Sequence, residues 1–380
     1  MLLLCLLLIP VAAAISLPAT ALARGLSLRL GAFDTEPLPG QVKERRPIPN
    51  TGGIGIFAGL VVPIALALAG AWLVDEQTAS RLIGASAASH LPGIRSKTDL
   101  GLLLITSLAL LHAVGLIDDR RPLGPRVKLA VMTLPPLAVA LFTDTRLLTA
   151  LDPLAGGSWL SIAVTVVWFL AVTNAMNFID NMDGLSGGVA MIAGACMLAA
   201  AAMSQQWFVA ATLALLVGSC AGFLVFNFPP AKIFMGDGGS LVLGFALAFL
   251  TARTTYTGES PTGEPLAGGW YAVFMPPIVL AVPLYDMLSV TLIRLRQGKS
   301  PMVGDMQHLS HRLVKRGLTR RSAVLVIWGM TAATGIGGVA LPSLEPWQAV
   351  LVGVQTAVLL AVLAAFEFAS SPARDGGGLG

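Results

Sequence analysis

At 380 residues the chain has room for two or three soluble domains, but 55% of its residues are hydrophobic and only 12% are charged, about half the roughly 25% charged residues of soluble domains. So apolar a chain cannot cover itself with polar surface, which excludes a soluble enzyme, a disordered protein and a collagen-like fibre. The net charge of +4, from 24 Lys+Arg against 20 Asp+Glu, is too small an excess to mark a nucleic-acid footprint, and no nucleic-acid partner is expected.

A membrane-spanning helix needs about 20 apolar residues, and eleven stretches qualify as candidates: 1–22, 52–74, 99–117, 127–142, 159–178, 185–203, 207–228, 236–252, 270–293, 322–341 and 349–368. The expected fold is therefore an all-α polytopic membrane protein. Residues 1–370 form one domain, and 371–380 are a flexible Gly-rich tail. The first stretch ends Ala21-Leu22-Ala23, which mimics a signal-peptidase site. No Lys or Arg precedes it, however, whereas Arg24 and Arg29 follow it. That order suits a retained helix with its N-terminus outside. The fourth stretch is short, and Pro135-Pro136 predict a kink in it. Eleven spans starting outside place the C-terminus in the cytoplasm. On this arrangement 19 of the 24 Lys+Arg fall in cytoplasmic segments, as the positive-inside rule demands. Cys5, Cys196 and Cys220 all sit in apolar runs without metal-ligand spacing and read as small buried hydrophobes.

The polar clusters converge on the cytoplasmic side of this topology. Asp118-Asp119 end the third span. Asn174, Asn177, Asp180, Asp183 and Gly184 lie at the junction of the fifth and sixth. Phe234-Met-Gly-Asp237-Gly-Gly-Ser240 opens the eighth, and His308-Leu-Ser-His311-Arg312 lies in the basic segment between the ninth and tenth. Taken singly, each has a structural explanation: a solvated helix end, a helix cap, a turn, a surface histidine pair. Together they bring carboxylates, amides and cations to one face. Five Asp in the first three clusters without local Lys or Arg partners would repel one another, and a divalent cation is the usual remedy. Hard oxygen ligands suit Mg²⁺, with Mn²⁺ as an alternative, and His and Arg suit anionic phosphate oxygens.

These motifs, with Pro49-Asn-Thr-Gly52-Gly53 ahead of them, resemble those of the polyprenyl-phosphate N-acetylhexosamine-1-phosphate transferases, glycosyltransferase family 4, from about residue 47 to Arg312. The resemblance implies a multi-pass enzyme of the bacterial inner membrane with its active site facing the cytoplasm. Such enzymes transfer N-acetylhexosamine-1-phosphate from a UDP-sugar to undecaprenyl phosphate or a related polyprenyl phosphate, releasing UMP, with Mg²⁺ required, in the first membrane step of a cell-envelope polysaccharide pathway. The lipid bilayer is then a partner, and a homodimer is compatible.

By position, the resemblance makes Asp118 and Asp119 the acceptor-side pair and Asp237 and Asn177 the metal ligands. Asn174, Asp180 and Asp183 would line the nucleotide site. Phe234 would stack on uracil, Lys128 would bind substrate, and His308, His311 and Arg312 would contact diphosphate or sugar. Three departures from the family pattern matter. Asp118-Asp119 is followed by Arg120-Arg121-Pro122, without the third acidic residue that some members carry. Asn181 stands where Asp-Gly-x-Asp-Gly has its first glycine, and Asn tolerates left-handed backbone. Ser310 interrupts what is a run of three histidines in the branch that transfers phospho-N-acetylmuramoyl-pentapeptide, which favours the N-acetylglucosamine branch. A transporter is the alternative of another class. It would place its polar groups near the bilayer midplane, where this chain has few ionisable residues, His112 excepted.

Overall fold

The computed structural model describes residues 1–31, 48–256, 273–300 and 306–368. The expected tail at 371–380 lies outside them. The described residues form an all-α bundle: α1 (Leu2–Leu30), α2 (Gly53–Leu73), α3 (Thr98–Asp118), α4 (Pro125–Phe142), α5 (Trp159–Phe178), α6 (Leu185–Met203), α7 (Trp207–Asn227), α8 (Asp237–Tyr256), α9 (Met275–Val279), α10 (Ala281–Arg296), α11 (Leu309–Lys315), α12 (Arg320–Ala340) and α13 (Pro346–Phe368). Three short helices, Glu76–Ile83, Ala85–Ala88 and Leu91–Arg95, join α2 to α3.

Nine of the described helices are long and apolar enough to cross a membrane. Eleven spans were expected, and the difference has a local cause. The eighth stretch forms α8, a full-length helix with Asp237 in its first turn and Arg253 in its last, so its ends dilute its apolar run. The ninth is divided at Leu280 into α9 and α10, with Pro276, Pro277 and Pro283 flanking the break. Proline removes a helix donor and clashes with the preceding turn, which interrupts a helix at such sites. Pro135 and Pro136, by contrast, are buried inside a single helix, α4.

Large apolar side chains point outward all round the bundle. Leu73, Phe142 and Leu154 are 84%, 79% and 85% exposed. A water-soluble protein does not expose apolar surface on this scale, whereas a lipid-facing surface consists of it. Inside, α8 is the most enclosed helix, followed by α7 and α6, and α1 and α13 are the least enclosed. The first helix belongs to the bundle. It packs on α7 and α2, and Ser16 donates its hydroxyl to the Ser219 carbonyl at 2.8 Å. Small residues allow this approach: a Cβ on Gly218 would lie 2.1 Å from the Ile9 carbonyl oxygen. Close packing through small residues is the usual way helices associate where lipid removes the hydrophobic drive.

Candidate functional site

One end of the bundle gathers the C-terminal ends of α3, α5 and α7 and the N-terminal ends of α2, α4, α6 and α8. The Pro49–Gly53 segment lies along the stretch before α8. Phe234 N–H donates to the Pro49 carbonyl at 2.7 Å, Gly52 N–H to Phe234 O at 2.9 Å and Gly53 N–H to Met235 O at 2.9 Å. Glycine is required here because a Cβ on Gly53 would sit 2.3 Å from the Gly239 backbone nitrogen. Gly236, with φ of +70°, then turns the chain so that α8 begins on Asp237.

Five side chains from four helix ends meet at that point. Asp119 accepts from Asp237 N–H at 3.1 Å and from Gly238 N–H at 3.4 Å, so the end of α3 caps the start of α8. Burial, and next the charge of Asp237, push the Asp119 carboxyl well above the usual carboxylate range, with those backbone bonds acting in the opposite direction. Asp118 accepts from Leu123 N–H at 2.7 Å, closing the turn toward α4. Gly124, at φ of +79°, completes that turn, and it brings Lys128 back over both carboxylates. Its ammonium lies 3.1 Å from Asp118 and in direct ion-pair contact with Asp237. Asn177 donates from Nδ2 to Asp237 Oδ1 and to Ser240 Oγ, each at 2.8 Å. The expectation that these carboxylates lack a local basic partner is therefore corrected. Lys128 is that partner, nine residues beyond Asp119 in the first turn of α4.

Among the described residues, no three His, Cys, Asp or Glu side chains are grouped so as to hold a metal by themselves. The donor set still fits a shared cation. Asp118 and Asp237 face each other closely enough to grip one positive group between them, and the Ser240 hydroxyl and Asn177 amide adjoin it. Asn177 presents its nitrogen to Asp237, and a half-turn of the amide would present its oxygen. A divalent ion there would take few protein oxygens and complete its shell with phosphate oxygens and water, which is the habit of Mg²⁺.

The remaining expected residues occupy a second tier. Asn174 donates to the Leu170 carbonyl of its own helix at 2.7 Å. Asp180 is half-buried. Asp183 is only 5% exposed and accepts from Ala231 N–H at 3.0 Å, so it braces the loop before α8. Gly184, not Asn181, carries the left-handed turn here, at φ of +73°. Asn181 instead donates to Phe178 O at 2.7 Å and accepts the hydroxyl of Ser310. Two of the departures from the family pattern, Asn181 and Ser310, thus bond to each other and tie α11 to the turn between α5 and α6.

His308 caps α11 and is 6% exposed, with Nδ1 at 2.8 Å from Asp286. Asp286 also accepts from Leu309 N–H at 2.6 Å. Arg312 is held inside the protein: Nε donates to Glu367 at 2.8 Å and Nη2 to Ser289 at 2.8 Å, and Nη1 donates to the Gln307 carbonyl. These bonds fasten α11 to α10 and α13. Three braces carry no motif in the sequence: Asp286, Glu367 and Asn227. Asn227 accepts from Gly184 N–H at 2.9 Å and donates to Ile233 O at 2.8 Å. Their common signal is a polar residue in or at the end of an apolar helix.

Burial, and next the positive charge of His308, push His311 down to about 4. Its folded value lies below the unfolded 6.5, so the unfolded chain binds the extra proton between those limits. The resulting stability is present in full above pH 6.5 and is lost as pH falls toward 4. Detergent-solubilised protein should lose several degrees of Tm over that window, and His311→Gln should flatten the slope. Parallel pH profiles for the two proteins would contradict the assignment.

Among known proteins, the model of glycosyl transferase family 4 matches residues 101–255. The chain is 30% identical over 375 residues to the decaprenyl-phosphate N-acetylglucosaminephosphotransferase of Mycolicibacterium smegmatis, covering 92% of this chain and 86% of the relative. It is 31% identical to the enzyme of the same name from Mycobacterium tuberculosis, covering 83% and 77%. The undecaprenyl-phosphate alpha-N-acetylglucosaminyl 1-phosphate transferase of Yersinia pestis is 26% identical, covering 86% and 82%. With the paired aspartates, the Asn177 helix and the Asp237 loop brought together at one end of an apolar bundle, and with likeness extending along most of its length, the chain belongs to glycosyl transferase family 4.

Proposed function

We propose that the protein transfers N-acetylglucosamine-1-phosphate from UDP-N-acetylglucosamine to a polyprenyl phosphate, releasing UMP, at the cytoplasmic face of a bacterial inner membrane. The observation that carries this reading is the meeting of Asp118, Asp119, Lys128, Asn177 and Asp237 at the ends of apolar helices. A polyprenyl phosphate is anchored by its chain in the bilayer, so its phosphate can be met only at such an end. In the reaction an oxygen of the lipid phosphate attacks the β-phosphorus of the UDP-sugar. A new phosphoanhydride bond forms, and the bond from the β-phosphorus to the bridging oxygen breaks, leaving that oxygen on UMP.

Asp237 and Asn177 would hold Mg²⁺, which supplies charge neutralisation at the phosphates. Asp118 and Asp119 orient the acceptor side. Both carboxylates already have protein partners, and a phosphate monoester with a second pKa near 6 is largely dianionic at neutral pH. Orientation therefore contributes more than proton removal. Lys128, balanced by carboxylates in the ligand-free protein, is placed to pair with substrate phosphate. Asp180, Phe234, His308 and His311 would bind the nucleotide sugar, with Asn174 and Asp183 supporting them.

A donor panel tests this reading. Purified protein should convert UDP-N-acetylglucosamine and undecaprenyl phosphate to a lipid-diphospho-sugar and leave UDP-N-acetylmuramoyl-pentapeptide unused. The Ser310–Asn181 bond motivates the second half, since a third histidine at position 310 would replace that hydroxyl. Efficient pentapeptide transfer with no glucosamine product would overturn the donor assignment.

A further inference from the structure

His112 is a titratable side chain buried in the middle of α3, 9% exposed, that the reaction as described does not use. Its ring stacks on Phe57 with centroids 4.4 Å apart and planes within 8°. Its Nδ1 lies 2.7 Å from the carbonyl oxygen of Gly238. A carbonyl only accepts, so Nδ1 carries the proton and donates. Two further residues on the same face of α3 reach the adjoining peptide units. A Cβ on Gly115 would lie 2.4 Å from the Asp237 carbonyl carbon, and Asp119 accepts from the N–H groups of 237 and 238. Positions 112, 115 and 119 follow the i, i+3, i+7 spacing of one helix stripe. That stripe holds the 237–238 backbone from both sides, by its carbonyl through His112 and by its N–H groups through Asp119, with Gly115 letting the helices touch.

We infer that His112 is a positioning residue that fixes the Gly238 peptide and thereby aims the Asp237 carboxylate into the site. The inference rests on the proposed role of Asp237. It explains a histidine within an apolar helix, where an unpartnered polar side chain would be costly. It also accounts for the flat stack on Phe57, which sets the ring plane so that Nδ1 points at Gly238.

Two substitutions separate positioning from packing. His112→Phe keeps an aromatic ring against Phe57 and loses the donor. His112→Asn loses the ring and keeps an N–H donor close to the place of Nδ1. The full-length protein in detergent, without added metal, is examined first by hydrogen exchange of the amides at 237–240. It is then assayed for transfer across a Mg²⁺ titration. Positioning predicts that His112→Phe speeds that exchange at least tenfold, raises the Mg²⁺ concentration for half-maximal rate several-fold and lowers transfer at least tenfold. His112→Asn should stay within about threefold of wild type on all three. His112→Asn being the worse variant would show a packing role and overturn the inference, as would a His112→Phe protein that exchanges and transfers like wild type. A wild-type protein that transfers no sugar phosphate would overturn the reading of the site instead, and the exchange rates alone would then decide whether His112 holds the Gly238 peptide.

Discussion

Replacing Asp237 by Asn is expected to lower kcat by roughly 10³-fold, equivalent to about 4 kcal/mol, while changing Tm by no more than a few degrees. The two halves of that result have separate causes. Asp237→Asn keeps the size of the side chain and an oxygen for the Asn177 amide at 2.8 Å. The capping bond to Asp119 comes from the backbone N–H of 237 and is untouched. Lys128 keeps its ion pair with Asp118 at 3.1 Å. Removing a negative charge beside Asp119, whose carboxyl that charge pushes upward, relieves repulsion and offsets the lost contact with Lys128. What disappears is the charge needed to hold a cation against the substrate phosphates, an interaction that counts most in the transition state. Initial rates and melting curves recorded on the same preparation check this. Near-normal Mg²⁺-dependent transfer by Asp237→Asn would reduce Asp237 to a helix cap.

Gly115→Ala should be the most damaging conservative change outside the charged cluster. In an ordinary helix interior, Gly to Ala stabilises by about 0.8–1.0 kcal/mol. Here the added methyl would meet backbone, 2.4 Å from the Asp237 carbonyl carbon and 2.4 Å from the Gly238 nitrogen. Neither atom can rotate away as a side-chain end would. Overpacking of this kind costs typically 1–3 kcal/mol, so the net effect changes sign to destabilising. The displacement falls on the first residues of α8, and transfer should drop about a hundredfold or more, well beyond the effect on Tm. Gly93 has nothing within 4 Å of an added Cβ, so Gly93→Ala serves as a silent control. A Gly115→Ala protein as stable and active as wild type would contradict the close approach of α3 and α8.

Much of this architecture could be read from the residues. The long apolar runs locate most helices to within a few residues, because lipid tolerates little else at that length. The clusters at Asp118-Asp119, Asn177 and Asp237 were legible as one site because each falls where an apolar run stops. What could not be read has a common physical origin: it depends on which helix end faces which. Lys128 looks like a topology-setting lysine until the Gly124 turn brings it over Asp118. Arg312 pairs with Glu367 at the end of α13, a partner 55 residues away that no local pattern announces. Asn181 was expected to tolerate a left-handed turn, but its amide is used for bonding to Phe178 and Ser310 instead. The break at Leu280 had a visible signal in Pro276, Pro277 and Pro283, which the apolar character of the run outweighed.

The central claim is that the β-phosphate travels with the sugar. It is tested most directly by identifying the nucleotide released when purified protein meets UDP-N-acetylglucosamine, Mg²⁺ and undecaprenyl phosphate. Release of UMP, in equal amount to a lipid carrying a diphosphate and one N-acetylglucosamine, is the predicted result. Release of UDP with a lipid monophosphate sugar would mean that the bond broken is at the sugar carbon, and would contradict the account.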